Sequence, residues 1–255
     1  MSVLEPLLAG LATGRVRVVD LTHTLDPDFP VIILPPEFGQ CARFRMEEVS
    51  AYDHRGPGWK WHNISMNEHT GTHFDAPIHW ISGRDVAGGA VDEIAPEAFV
   101  GPVCVIDCSA ETDPDFLLEP AHIEAWEAAH GPIPGGAWVL MRTDWSKRSG
   151  AAYLNMAEDG PHSPGPSAAA IEALLARDIR GFGTETVGTD AGQGAHLTPP
   201  YPAHFLLHGA GKLGLQCLSG LDQLPPTGAV LIAAPLKIKG GTGSPLRVLA
   251  LLEDA

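Results

Sequence analysis

Apolar residues recur at helical spacing near the start of the chain. Leu4, Leu7, Leu8 and Leu11, with Gly14 placed to end the element, predict a short amphipathic helix over residues 2–13. The period then changes, and residues 16–21 (VRVVDL) read as a strand. From His23 to Trp61 the chain is rich in Pro, Gly and aromatics and keeps no period beyond a strand near 44–49. That stretch predicts hairpins and loops folded over the rest. Residues 61–68 read as a strand, and the apolar runs at 100–108 and 137–142 as buried strands. Between those runs Pro120–His130 predicts a helix, with Ile123, Trp126 and Ala129 on one stripe. The strongest helix lies at 167–177, where Ser167 can cap an apolar stripe of Ile171, Leu174 and Leu175. Gly181–Thr184 and 187–189 predict a strand broken at Glu185, followed by a helix at 201–207 and late strands at 229–236 and 247–252.

Strands separated by helices without a regular alternation point to an α/β or α+β fold. With 255 residues, no repeat and no linker-like segment, one domain over 1–255 is the expected organisation. The 29 Gly and 23 Pro are spread throughout, which predicts many short elements joined by turns. A formal charge of −15 argues against a nucleic-acid partner, because phosphate binding needs clustered Lys and Arg. The longest apolar run, GAVLIAAPL, is far too short for a membrane span, and the start of the chain does not read as a signal peptide. Four cysteines without a C-x-x-C pair imply no disulfide framework, so a reduced, cytoplasmic protein is expected.

The chemistry is concentrated in His69-Thr-Gly-Thr-His73-Phe-Asp75-Ala-Pro-Ile-His79, three His and one Asp in eleven residues. Imidazole with carboxylate suits a divalent ion such as zinc or manganese. His73 and Asp75 are two apart and share a face of an extended strand. A bend at Gly71 would bring His69 to the same place, and Pro77 would end the pairing and re-aim His79. His54, His62, His122, His130 and His162 stand alone in the sequence and read as ordinary hydrogen-bonding residues.

The same eleven residues match the pattern H-x-G-T-H-x-D-x-P-x-H, and the chain thereby resembles the cyclase-like metal-dependent amidohydrolases, a family that includes kynurenine formamidases and isatin hydrolases. VVDLTHTL near the start and the stretch from His204 to Leu224 carry the resemblance over most of the chain. It implies a swivelling β/β/α type of α/β fold, a homodimer and a divalent-metal site that hydrolyses a cyclic or formyl amide. It also implies that His69, His73 and Asp75 are metal ligands and that His79 is the catalytic proton shuttle. The family's second metal segment, a His and a Glu twelve residues apart, corresponds to His204 and Gln216. A neutral amide in place of that carboxylate adds no charge, which predicts a weakened second site and a single ion, manganese first with zinc as the alternative. This pattern resembles the isatin hydrolase branch, as do the stretches GPHSPGPS, GFGTETVGTDAG and HGAGKLGLQCLSGLDQLP.

The implied reaction is hydrolysis of a small aromatic cyclic amide, isatin, with Gln216 as the fourth ligand and His204 bonding the substrate oxygen. Trp59, Trp61, Trp80 and Phe205 flank the ligands in sequence and are the expected walls of a flat aromatic pocket. The early loop region, with Phe29, Phe38 and Phe44, is the expected lid. Asp20 and His23 are read as supports of the ligands, and Glu185, Asp190 and His196 as structural groups of a Gly-rich loop. Cys104, Cys108 and Cys217 read as core. A kynurenine formamidase and a metal-binding protein without catalysis are the competing readings. No G-x-S-x-G elbow or complete dinucleotide fingerprint is present.

Overall fold

In the computed structural model, which describes residue 2 and residues 4–253, the apolar runs become strands stacked side by side. The strands that carry the architecture are β1 (Val16–Asp20), β2 (Arg45–Asp53), β3 (Gly56–Ser65), β4 (His73–Asp75), β5 (Val100–Asp107), β6 (Trp138–Arg142), β7 (Gly181–Thr184), β8 (Leu213–Gln216), β9 (Ala229–Ile232), β10 (Gly243–Pro245) and β11 (Leu249–Glu253). All but β2 and β3 join one mixed sheet of nine strands in the order β1-β11-β9-β5-β6-β7-β8-β4-β10. The four central strands β5 to β8 run parallel, and the strands on either side pair antiparallel.

The central strands are apolar on both faces because both faces are covered. On β5, Val103 and Val105 enter one core while Cys104 and Ile106 enter the other. On β6, Trp138 and Leu140 alternate in the same way with Val139 and Met141. The second core is closed by α2 (Pro120–His130), α3 (Ala168–Ala176) and α4 (Pro202–Gly209), while α1 (Glu5–Thr13) precedes β1. Ile123, Trp126, Ala170, Ile171, Leu174, Ala203 and Leu207 are the side chains these three helices bury in that core. Cys108 joins Cys104 in that core, as the four-residue spacing implied. The structure is therefore mixed α/β, and among the described residues no helix is long and apolar enough to cross a membrane.

Several boundaries differ from expectation for identifiable reasons. Of the helix read over 2–13, Glu5–Thr13 is helical, ended by Gly14 at φ 76°, and Val3 lies outside the described residues. The strand read at 61–68 starts earlier, at Gly56, because the ribbon β2–β3 pairs Arg45 with Ser65 and closes at Asp53 with Gly56. The residues at 187–189 leave the sheet after Thr184 and form bends instead of a strand. Strands β8 and β10 had no signal: LGLQ and GSP are too short and too rich in Gly to show a period.

The N-terminus of α3 is tied to that of α2. Ser167 Oγ accepts from Ala170 N at 3.1 Å and donates to Glu119, the N-cap residue of α2, at 2.7 Å. Replacing Ser167 by Ala removes both bonds. A loss of about 1 kcal/mol in urea denaturation is expected, with metal content unchanged; an unshifted midpoint would show that the cap is idle.

Candidate metal centre

Strand β4 delivers the first groups by simple alternation. Phe74 is fully buried in the first core, so His73 and Asp75 face the other way. Gly71 adopts φ 70°, a conformation that favours glycine, and folds the preceding turn back over the strand. His69 Nδ1 thereby comes to 2.8 Å from Asp75 Oδ1, and His73 Nε2 to 3.5 Å from the same oxygen. Pro77 opens a 3-10 turn over Pro77–His79 that brings the His79 ring onto His69, with centroids 4.0 Å apart.

The other oxygen of Asp75 meets α4 and β8. His204 and His208 sit one helical turn apart and reach Asp75 Oδ2 at 3.5 and 4.0 Å. Gln216 lies directly across from His73 in the β8–β4 pair and donates its amide to Asp75 Oδ2. Its Nε2 is also 3.4 Å from His204 Nε2. Asp75 itself is flanked by Gly214 on one strand and Gly243 on the other. Two glycines beside a buried carboxylate leave its upper face open to imidazoles.

Proton accounting shows what such a cluster is built to hold. His73 Nδ1 lies 2.7 Å from the Gly71 carbonyl, His208 Nδ1 3.1 Å from the Lys212 carbonyl, and His204 Nδ1 2.5 Å from Asp190 Oδ2. Those oxygens only accept, so each Nδ1 carries a proton and donates. In the neutral rings of His73 and His208 the Nε2 atoms then point lone pairs toward Asp75. His208 Nε2 is buried and has no hydrogen-bond partner among the described residues. Acceptors facing acceptors in a dry interior are costly unless a cation lies between them. Two groups keep ligand atoms within 4.8 Å of one another: His69, Asp75 and His79, and Asp75, His204 and His208. The donor set, imidazole plus one carboxylate, fits a divalent ion of the zinc and manganese type.

The electrostatics agree. Burial lowers His73 to about 4, His79 to about 3 and His208 to about 4, which keeps all three neutral, as metal ligands and bases must be. For His204 burial also pulls down, but its hydrogen bonds to Asp190 and Asp75 reverse this and raise it to about 10. Burial alone would raise the Asp75 carboxyl, yet the surrounding imidazoles, His79 and His69 first, hold it well below the ordinary range.

Of the aromatic residues expected to wall a pocket, Trp80 stands over the site, its ring 4.7 Å from that of His204 and tilted by 34°. Tyr201, which sequence reasoning passed over, meets Trp80 edge-on at 5.6 Å. Phe205 is on α4 and 40% exposed. Trp59 and Trp61 are not brought to the cluster within this chain: they are half exposed on the β2–β3 ribbon and make their ring contact with each other, at 6.1 Å. Phe29 packs on His23 and Tyr153, whereas Phe38 points to solvent.

His208 was missed because the helix read over 201–207 stopped one residue short of it, although the spacing H-x-x-x-H was there to be seen. Asp190, read as a structural group, also grips the His204 ring, besides accepting from the backbone N–H of Ala203 at 2.6 Å. Glu185 is structural, bonded to Thr143 and Ser146. Asp20 does not support the cluster; it pairs with Arg247 at the surface. His23 touches it only through its backbone, which donates to Thr72 Oγ1 at 3.0 Å.

Comparison with known proteins places this geometry in context. The model of the cyclase family matches residues 19–191. An isatin hydrolase of Roseibium aggregatum is 52% identical, covering 100% of this chain and 98% of that protein. A kynurenine formamidase of Polaromonas naphthalenivorans is 32% identical over 93% of this chain and 92% of its own. Among solved structures, isatin hydrolase A of Labrenzia aggregata bound to benzyl benzoate is 76% identical, with a TM-score of 0.98 over 99% of this chain and 100% of that one. An isatin hydrolase bound to the product analogue thioisatinate is 51% identical, with a TM-score of 0.97 and full coverage of both chains (100% each).

The neutral histidines make a pH prediction. An unfolded chain protonates them near 6.5, whereas the folded protein resists until about 4, 3 and 4 for His73, His79 and His208. Their stabilising contribution is therefore present above 6.5 and lost as pH falls toward those values. His204 acts in the opposite sense: its contribution is present below 6.5 and lost as pH rises toward about 10. Thermal unfolding of metal-free protein is expected to show a falling midpoint from pH 6.5 to 4; a flat profile there would contradict the burial argument.

Proposed function

The chain belongs to the cyclase family, and from that premise we propose that it opens the lactam of isatin to isatinate, using one divalent cation, manganese before zinc, held by His69, His73, Asp75 and Gln216. The observation that carries the reading is the convergence of imidazole nitrogens on one buried carboxylate, one of them, His208 Nε2, without a hydrogen-bond partner among the described residues, in a chain that matches isatin hydrolases over its full length. Gln216 would serve through its amide oxygen after a half-turn of the amide, giving up its bond to Asp75.

When bound, the ion supplies Lewis acidity, lowering the pKa of a coordinated water and polarising the carbonyl. The chain's own residues supply the rest. His79 is neutral and its ring nitrogens make no hydrogen bond to the described residues, so it is free to take a proton. In the reaction the water oxygen bonds to the lactam carbon and the carbon–nitrogen bond breaks. His79 moves the water's proton to the leaving nitrogen. The acid formed ionises, releasing one proton with the carboxylate product. His204, turned by Asp190, presents Nε2 to the oxygen that becomes negative. Trp80, with Tyr201 behind it and Phe205 at the rim, offers a flat apolar wall to the fused benzene ring.

A homodimer belongs to the same proposal. Trp59 and Trp61 are exposed on one face of the ribbon and Met46 and Ile64 on the other, apolar groups that a second copy would remove from water. A substrate role for Trp59 and Trp61 rests on that dimer. The four cysteines are free, which supports the cytoplasm as its compartment.

A kynurenine formamidase is the second reading, favoured by one observation: Asp75, His204 and His208 form a second set of ligand atoms suited to a second ion. Elemental analysis beside parallel assays with isatin and N-formylkynurenine separates the two. One ion per chain with preferential isatin turnover is expected; strong formylkynurenine turnover without isatin turnover would overturn the ranking. Replacing His79 by Ala should leave the bound ion in place and lower kcat by about 10²–10⁴, and loss of the ion from that variant would instead make His79 a ligand.

A further inference from the structure

Strand β10 and the residue before it lie against the cluster. The Thr242 carbonyl accepts from Ala76 N at 2.9 Å. Its own N–H and hydroxyl both donate to Glu68 Oε2, at 3.3 and 2.6 Å. A threonine hydroxyl has one proton, and a carboxylate only accepts, so that proton is committed to Glu68. His69 Nε2 lies 3.0 Å from the same hydroxyl oxygen and must therefore be the donor in that contact. The next residue, Gly243, presses its backbone on the ring: a Cβ there would sit 2.5 Å from His69 Cε1. The ring is thus fixed along its edge and across its face, with Nδ1 turned to Asp75 Oδ1.

We propose that Thr242 and Glu68 are positioning residues for the ion. The chain from Glu68 to Thr242 to His69 Nε2 commits that nitrogen to a proton and reserves the Nδ1 lone pair for the cation, the opposite choice from His73, His204 and His208. The inference rests on the reading of the cluster as a divalent-cation site. Hydrogen-bond partners of this kind set the tautomer of a ligating histidine, and their loss typically weakens metal binding 10–100-fold.

The test is Mn2+ affinity, measured by competition with a fluorescent chelator, for the wild type, Thr242→Val and Thr242→Ser, with circular dichroism to check folding. Thr242→Val is expected to bind Mn2+ about 10–100-fold more weakly, and Thr242→Ser, which keeps the hydroxyl, to bind within about threefold of the wild type. Equal affinity in folded Thr242→Val overturns the proposal while leaving the metal site standing; absence of Mn2+ binding by the wild type overturns both. Should Thr242→Val not fold, the wild type loaded with Zn2+ decides by nitrogen-15 NMR. A proton on His69 Nε2 with Nδ1 bound to zinc supports the assignment, and a proton on Nδ1 refutes it.

Discussion

The cluster depends on one buried carboxylate. Asp75 has no exposed surface and ends strand β4 between two neighbouring strands, where a charge without partners would be prohibitive. It is tolerated because both its cross-strand neighbours are glycines, Gly214 and Gly243, and the space they leave is filled by imidazoles from three parts of the chain. Each of those parts is held by ordinary structure: β4 by its pairing with β8 and β10, α4 by the second core, and the turn before β4 by the positive φ of Gly71. The fold acts as a frame that makes a dry, negatively charged point and surrounds it with imidazole nitrogens.

The legible parts of this in the sequence were those governed by short-range periods. His73 and Asp75 on one face follow from the two-residue repeat of a strand, and Gly71 and Pro77 mark the bends on either side. The helix Pro120–His130 and the capped helix after Ser167 follow from apolar stripes and end signals. The illegible parts were set by contacts distant along the chain. Strands β8 and β10 exist because they pair with β4, not because LGLQ or GSP prefer to be extended. Asp190 looks like any loop carboxylate until α4 places His204 Nδ1 beside it. His208 was lost to a boundary error of two residues, the size of error that helix ends commonly carry.

The same logic explains why each histidine is held by its outer nitrogen. A neutral imidazole has one donor and one acceptor nitrogen, and the protein chooses between them by what it offers the donor. Backbone carbonyls serve His73 and His208, a carboxylate serves His204, and a hydroxyl backed by a carboxylate serves His69. The carboxylate behind His204 does more than orient it. Together with Asp75 it raises the ring to about 10, so in the absence of a metal His204 carries positive charge near neutral pH, paired with Asp190.

Charge bookkeeping then gives Gln216 a meaning that its size alone does not. Asp190 is balanced by the His204 imidazolium, so among the described residues Asp75 is the sole uncompensated carboxylate facing the cluster, with Glu68 one hydroxyl further out. One divalent cation against one carboxylate leaves a net positive centre, the condition under which a bound carbonyl is most strongly polarised. A glutamate at position 216 would cancel that excess, or invite a second cation to the Asp75, His204 and His208 side. An amide keeps the hydrogen-bonding geometry opposite His73 without supplying the charge. The difference between the two kinds of centre is therefore one formal charge on one strand residue, carried on a frame of strands and helices that need not otherwise change.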